Sequence, residues 1–338
     1  MKTKILLIYT GGTIGMVRDS ETKSLVPLNF KELTKQVPEL NFFDYEIESF
    51  EFEEPIDSSN VNPDFWIDLV NIIEEKYEQY DGFVILHGTD TMAHTASALS
   101  FMIQNLHKPI ILTGSQLPIG TIRTDGKENL ITAIEIAATQ KDDLHEVAVC
   151  FSNKLYRGNR ITKHNAEYFN AFSSDNYPPL AEIGINIRLK KNYILPKSNK
   201  ETIFYKKLNN NIAILKVFPG MHPSYIKSIL NIENIQAVVL ETYGAGNAPT
   251  EDYFIKEIDK AIKRGINIIN VTQCQAGSVH QGQYETSLSL KNMGVISAKD
   301  MTLEATITKL MHLLGNDLDS TKIKQSFSES ISGEISKK

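Results

Sequence analysis

Along the chain, short runs of aliphatic and β-branched residues alternate with longer stretches in which apolar positions recur every three or four residues. The short runs are Ile5–Tyr9, Phe83–Leu86, Ile110–Leu112 and Val147–Phe151, and each predicts a buried strand. The longer stretches predict helices. In "NPDFWIDLVNIIEEKYEQY", Asn62 is placed to cap the N-terminus and Pro63 takes the first helical position. "TMAHTASALSFMIQNL" and "DGKENLITAIEIAATQ" predict the next two helices. Strand and helix in alternation predict a parallel sheet wrapped by helices, the α/β class.

A second series of the same kind starts at Ile212. Its strands are expected in "IAILKVFPG", "QAVVLETYGAG" and "INIINVTQC", its helices in "SYIKSILNI" and "EDYFIKEIDKAIKRG". Between the series the chain is rich in lysine and asparagine and poor in apolar pattern. The expected division is therefore an N-terminal α/β domain over 1–189, a linker over 190–211 and a C-terminal α/β domain over 212–338. The last helix is expected in "TLEATITKLMHLLGN", with Gly315 as its C-terminal cap. Composition turns tail-like only after Asp319.

Open parallel sheets bind ligands outside the carboxyl ends of their strands. Four segments fall there: "TGGTIG", "HGTDTM", "TGSQLP" and, further on, "RGNRITK". The first looks like the start of a phosphate loop, but no lysine follows Gly15 and the glycines Gly11, Gly12 and Gly15 are spaced G-G-x-x-G. Both nucleotide fingerprints therefore fail on spacing. The loop instead presents a hydroxyl, that of Thr13. A turn threonine often bonds its own backbone, so Thr13 alone decides little. Thr89 and Asp90 lie in a second glycine-flanked turn, where Asp90 is expected to cap the following helix. A threonine hydroxyl is a poor nucleophile unless a neighbour takes its proton. Lys163 qualifies as that neighbour, since a desolvated lysine can act as a base near neutral pH.

Composition narrows the partners. The chain has 338 residues, 41% hydrophobic and 22% charged, with a formal charge of −6 spread along its length. No basic stripe stands out, which argues against nucleic acid. No run approaches the roughly 20 apolar residues of a membrane span, and the N-terminal apolar run is too short for a secretory segment. The two cysteines, Cys150 and Cys274, lie in strand-like runs and are expected as buried thiols rather than a disulfide framework. A cytoplasmic protein is expected. His87 and His94 flank the second turn at a spacing that fits no common zinc site, so neither a metal nor another cofactor is expected.

With these residues in hand, the chain resembles the bacterial L-asparaginases of the cytoplasmic type. The resemblance rests on "TGGTIGM", "DGFVILHGTDTM", "LTGSQLP", "YRGNRITK", "YGAGNAP", "TQC" and "AKDMTLEATITKL", and it runs from Lys4 to about Glu334. It implies a larger, flavodoxin-like N-terminal domain, a smaller C-terminal one, and a homodimer or homotetramer acting on the small molecule L-asparagine. It implies that Thr13 attacks the substrate amide carbon, and that Thr89, Asp90 and Lys163 activate water. Asp57, Ser58 and Ser59 match the segment that binds the substrate's α-carboxylate and amine, and Ser115 a residue near the amide being cleaved. Gly11 and Gly12 would let the backbone approach substrate and offer N–H donors to the oxyanion.

Three departures from the family pattern stand out. Leu25 falls where many relatives carry a tyrosine poised to take the Thr13 proton, and Tyr284 in "HQGQYETS" is the candidate substitute. Some relatives bind asparagine at an allosteric site; here its residues would be Thr162, Cys274 and Glu241, with a carboxylate where those relatives have arginine. A carboxylate repels the effector's own carboxylate, so weak or absent activation is expected. The loop after the first motif is also slightly longer. Two other readings stand beside asparagine hydrolysis. One is an amidase subunit supplying ammonia to a tRNA-amidating complex, disfavoured because the chain starts at the catalytic strand. The other is a non-enzymatic amino-acid-binding module, disfavoured by intact Thr13, Thr89, Asp90 and Lys163.

Overall fold

The computed structural model describes residues 2–18, 25–27, 30–282 and 285–336. The chain divides into two compact units, one of Met1–Ser174 with Pro178–Lys206 and one of Asp175–Tyr177 with Lys207–Lys338.

The first unit is built on an eight-stranded sheet. Its strands in chain order are β1 (Lys4–Gly11), β2 (Glu46–Ile56), β3 (Gly82–Leu86), β4 (Ile110–Thr113), β5 (Val147–Phe151), β6 (Lys154–Arg157), β7 (Ala181–Ile183) and β8 (Ile187–Leu189). Across the sheet they run β8-β7-β6-β5-β4-β3-β1-β2. The pairs from β2 to β5 are parallel, and β6, β7 and β8 are added antiparallel. The parallel part thus has the order 2-1-3-4-5 of flavodoxin-like sheets, whose direction switches between β1 and β3. All four strands read from the sequence are present. Every residue of β3, β4 and β5 is buried, which accounts for their unbroken apolar runs.

Strand β2 was not among the expected elements. It is an edge strand reading "EIESFEFEEPI", half exposed, with glutamates that keep the open edge from pairing further. The helix Pro63–Lys76 begins as expected: the Asn62 side chain accepts from Phe65 N at 3.1 Å, with Pro63 at the first position.

Segment 190–211 differs from the linker expected of it. Ile203–Phe204 pair antiparallel with Ile103–Gln104, and Leu195 N donates to Glu146 Oε1 at 2.8 Å. Glu146 in turn holds Arg157 in a buried ion pair at 2.5 Å, and Arg157 donates to the Tyr193 carbonyl. Polar composition there reflects side chains facing water, while the backbone is bonded to the first unit as far as Tyr205, whose N–H donates to the Met102 carbonyl at 2.7 Å.

The second unit has four parallel strands, β9 (Ile212–Lys216), β10 (Ala237–Thr242), β11 (Asn267–Thr272) and β12 (Ile296–Ser297), in that order. Helices Pro223–Leu230 and Asp252–Lys263 pack Ile226, Leu230, Phe254 and Ile258 onto Leu215, Val238 and Leu240.

Two expectations fail here. Gly315 is the last residue of helix Leu303–Gly315 and not a cap beyond it; Asn316 takes the C-cap. Glycine is needed there for approach, because a Cβ would lie 2.6 Å from Leu208 Cα and from the Lys207 carbonyl oxygen. Nor is the chain after Asp319 a tail. Ser320–Ser328 form a helix capped by Asp319, and fully buried Glu334 accepts from the Nζ of fully buried Lys309 on the helix Leu303–Gly315. Lys309 also donates to the Ser326 and Glu329 carbonyls. Burial alone would raise the Glu334 carboxyl, but Lys309 and the N–H groups of Ile331 and Ser332 hold it below the usual range.

Candidate active site

Three of the four marked segments, "TGGTIG", "HGTDTM" and "TGSQLP", follow β1, β3 and β4 at their carboxyl ends, around the switch between β1 and β3, and Asp57–Ser59 follow β2 there; "RGNRITK" instead follows β6, which runs antiparallel to β5. Threonines lock those ends to their neighbours: Thr10 Oγ1 donates to the Leu86 carbonyl and Thr113 Oγ1 to the Cys150 carbonyl, each at 2.8 Å.

Glycines then bring the loops together. A Cβ on Gly12 (φ 82°) would sit 2.4 Å from Gly88 N and 2.5 Å from Gly88 Cα. A Cβ on Gly88 would sit 2.5 Å from Ser58 Oγ, and one on Gly11 2.3 Å from the Ile56 carbonyl oxygen. Gly11 and Gly12 seat the β1 loop against the loops after β2 and β3. Thr13 and Thr89 each directly follow one glycine of the Gly12–Gly88 contact. Thr91 Oγ1 ties the same region to the Ser58 carbonyl at 2.6 Å.

Thr89 is 9% exposed, and its hydroxyl oxygen accepts from Lys163 Nζ at 2.8 Å. Lys163 Nζ also donates to Asp90 Oδ1 at 2.6 Å. Lys163 reaches the site from a short antiparallel pair, Thr162–Lys163 with Phe172–Ser173. This fixes Asp90 in a role other than the expected cap: helix Met92–Met102 has Thr91 at its N-cap position, without a capping side chain. Thr89 in turn donates to Gln116 Oε1 at 3.3 Å, which orients its lone pairs toward Lys163.

Asp57 and Ser59 are exposed and Ser58 is buried. Ser59 N and Ser59 Oγ each donate to Asp57 Oδ1 at 2.8 Å, and these two bonds hold the Asp57 carboxyl below the usual carboxylate range. Ser115 is buried and spends its hydroxyl on the Leu117 carbonyl at 2.6 Å.

Sequence reasoning missed the residues that hold these groups still. Asp125 accepts from Gln116 N and Leu117 N, bracing the loop after β4; burial raises its carboxyl against those bonds. Asn129, one helical turn on, donates to the Gly114 carbonyl. The spacing of Asp125 and Asn129 at the head of a helix was the available signal. His87, set aside at first, is fully buried. Its Nδ1 donates to the Gly88 carbonyl at 2.7 Å, so its Nε2 accepts from Thr95 Oγ1 at 2.9 Å, and Thr95 accepts from Trp66 Nε1. Burial drives His87 down to about 4 despite the Gly88 bond, and the ring is neutral.

Other candidates fall elsewhere or outside view. Leu25 pairs with Arg18 in the short hairpin Met16–Arg18 with Leu25–Pro27. Tyr284 lies outside the described residues, as do residues 19–24 of the lengthened loop. Thr162 belongs to the first unit, Glu241 and Cys274 to the second. Glu241 is buried on β10 and paired with Lys216 at 3.1 Å. Cys150 is buried as expected and burial pushes its thiol up to about 12, but Cys274 lies past the end of β11 and is exposed. Among the described residues no group of three or more His, Cys, Asp and Glu could hold a metal ion.

A flavodoxin-like sheet with paired threonines and a lysine at its switch point defines a doubly wound α/β protein with the makings of hydroxyl chemistry. Comparison with known proteins narrows the class. The family described as "Asparaginase, N-terminal" matches residues 4–195, and "Glutaminase/Asparaginase C-terminal domain" matches residues 211–327. L-asparaginase 1 of Escherichia coli is 42% identical over 337 residues, 99% of this chain and 98% of its own length. The crystal structure of L-asparaginase I from Vibrio cholerae superposes with a TM-score of 0.91 at 38% identity, covering 100% of both chains. The thermostable L-asparaginase from Thermococcus kodakarensis superposes at 0.92 with 32% identity, covering 99% of this chain and 100% of that one. The chain belongs to the asparaginase family.

Proposed function

We propose that this chain hydrolyses L-asparagine to L-aspartate and ammonia, with Thr13 as nucleophile and Thr89, Asp90 and Lys163 activating water. The observation that carries the assignment of roles is Lys163 Nζ, 2.8 Å from Thr89 Oγ1 and 2.6 Å from Asp90 Oδ1. Family membership and full-length relatives named L-asparaginase support the reaction.

In the first half-reaction the Thr13 hydroxyl oxygen bonds to the side-chain amide carbon and its proton passes to a base. The resulting oxyanion collapses, the C–N bond breaks, and the nitrogen takes a proton and leaves as ammonia. That leaves a β-aspartyl ester on Thr13. In the second, water attacks the ester carbon while its proton moves through Thr89 Oγ1 to Lys163 Nζ. The ester C–O bond breaks, Thr13 Oγ is reprotonated, and L-aspartate departs. Asp90 keeps Lys163 aimed at Thr89 and offers a second oxygen to the substrate ammonium. Asp57, kept ionised by Ser59, is the other partner for that ammonium.

The same family resemblance supports a homodimer or homotetramer in the cytoplasm. Two free cysteines fit a reducing compartment, and among the described residues no helix is long and apolar enough to cross a membrane.

The deciding experiment is ammonia release from L-asparagine by the purified protein and by Thr13→Ala. Release by the parent and its loss in the variant are expected. A parent that releases none sinks the reaction, and an undiminished variant sinks the role of Thr13.

A further inference from the structure

We propose that Tyr9 is a positioning residue for Thr13: its ring forms the floor of the turn that carries the nucleophile, and its phenol pins the end of that turn. The inference rests on the reading of Thr13 given above.

Thr13–Gly15 form a single 3-10 turn closed by Gly15 N donating to the Gly12 carbonyl at 3.3 Å. Of its three residues Ile14 and Gly15 are buried, and Thr13 is half-buried. One end of the turn is seated by Gly12 on Gly88. The other end rests on Tyr9. A Cβ on Gly15 would lie 2.1 Å from Tyr9 Cε2, 2.4 Å from Cζ and 2.5 Å from Oη, so the ring occupies the space a side chain at position 15 would need. Tyr9 Oη donates to the Gly15 carbonyl at 3.0 Å inside the protein.

The backbone alone would not fix this turn. On the β2 side the ladder slips between Tyr9, paired with Glu51, and Gly11, paired with Ile56. The chain therefore leaves the regular ladder just where it must deliver Thr13 to the site. Tyr9, the last residue before the slip, sends its side chain forward to restore the lost constraint. Thr10, by its bond to the Leu86 carbonyl, does the same on the β3 side.

Tyr9 is also not the base left open by Leu25. Burial, with the charge of Glu51, pushes its hydroxyl up to about 12, so it stays protonated and donating throughout the working range.

Tyr9→Phe tests this with the ring retained and only the pin removed. The expected result is a fall in kcat of about ten- to a hundred-fold, because small misplacements of a reacting group are costly. KM should hold within about two-fold and the pH profile should keep its limbs, since nothing that titrates near neutrality is lost. Gly15→Ala should fall further, and adding Tyr9→Ala should recover part of that loss by making room for the new methyl. An unchanged kcat in Tyr9→Phe would overturn the proposal. So would a raised KM at constant kcat, which would mean substrate binding instead, or a displaced pH limb, which would mean that Tyr9 titrates. Should Gly15→Ala not fold, Tyr9→Phe decides alone. Thr13→Ala run beside it separates the readings: full activity there removes the nucleophile itself, whereas loss there with a normal Tyr9→Phe removes only the role of Tyr9.

Discussion

Gly12 and Gly88 meet backbone to backbone, and the two threonines of the site are the residues that follow them. A Cβ on either has nowhere to go: on Gly12 it would strike Gly88, and on Gly88 it would strike Ser58. The backbones that carry the two threonines are thus brought together by a contact that involves no side chain, and the Tyr9 phenol holds the far end of the Thr13 turn.

Gly88→Ala should therefore lower kcat/KM by about a hundred-fold and destabilise the fold by about 1–3 kcal/mol. Gly12→Ala should do more, since its φ of 82° adds strain to the overlap. Steady-state kinetics with thermal melts of each variant measure both effects. An alanine at position 88 with parental activity would show that the loops have slack.

Lys163→Met removes the proton acceptor and leaves Thr89 in place. The expected loss is about 10²- to 10⁴-fold in turnover. Because the loss falls on water attack, the aspartyl ester on Thr13 should accumulate and be visible by mass spectrometry of the intact protein. Lys163→Arg should not rescue, because guanidinium keeps its proton. An active arginine variant would assign Lys163 to charge stabilisation alone.

Two histidines make stability depend on acid. His87 and His312 are both pushed down to about 4, His87 by burial and His312 by burial and by Lys309. Unfolded, each titrates near 6.5. Below pH 6.5 the unfolded chain takes up protons that the folded chain refuses until about 4. The stability they contribute is complete above 6.5 and is lost between 6.5 and 4, at up to about 1.4 kcal/mol per pH unit for each histidine. Urea unfolding at half-unit steps from pH 7 to 4 reads this directly. Midpoints that stay level from 6.5 down to 5 would mean that these rings are not buried in solution.

Glu241 bears on control. Its carboxylate is buried and already engaged by Lys216, so it offers an incoming amino acid no cation to grip. Initial rates against L-asparagine concentration are expected to follow a hyperbola. A sigmoidal curve would show that activation survives with a glutamate at this position.

The strands that carry the site were legible because they are buried on both faces, which leaves unbroken apolar runs. Strand β2 was not, because its few apolar residues change parity between Ile47 and Phe50, which breaks the alternation that marks a half-buried strand. Thr89, Lys163 and Asp90 are brought together, yet the capping role expected of Asp90 failed because the helix begins at Met92, which puts Thr91 at its N-cap. Tyr9, His87 and Gln116 stayed hidden for one shared reason. Each acts through a bond to a backbone or side-chain group that only the folded chain brings near, and no spacing in the sequence announces such a bond.

The buried pair of Lys309 and Glu334 has a practical side. A protein engineer would be inclined to trim the closing dozen residues or hang a purification handle from them. Cutting before Glu334 would strand an ammonium in an apolar interior, which typically costs several kcal/mol. Fusions and affinity tags belong at the very last residues, after Ser336, or at the other terminus, and a protease that nibbles from the carboxyl end should stall near Glu334 while the fold persists.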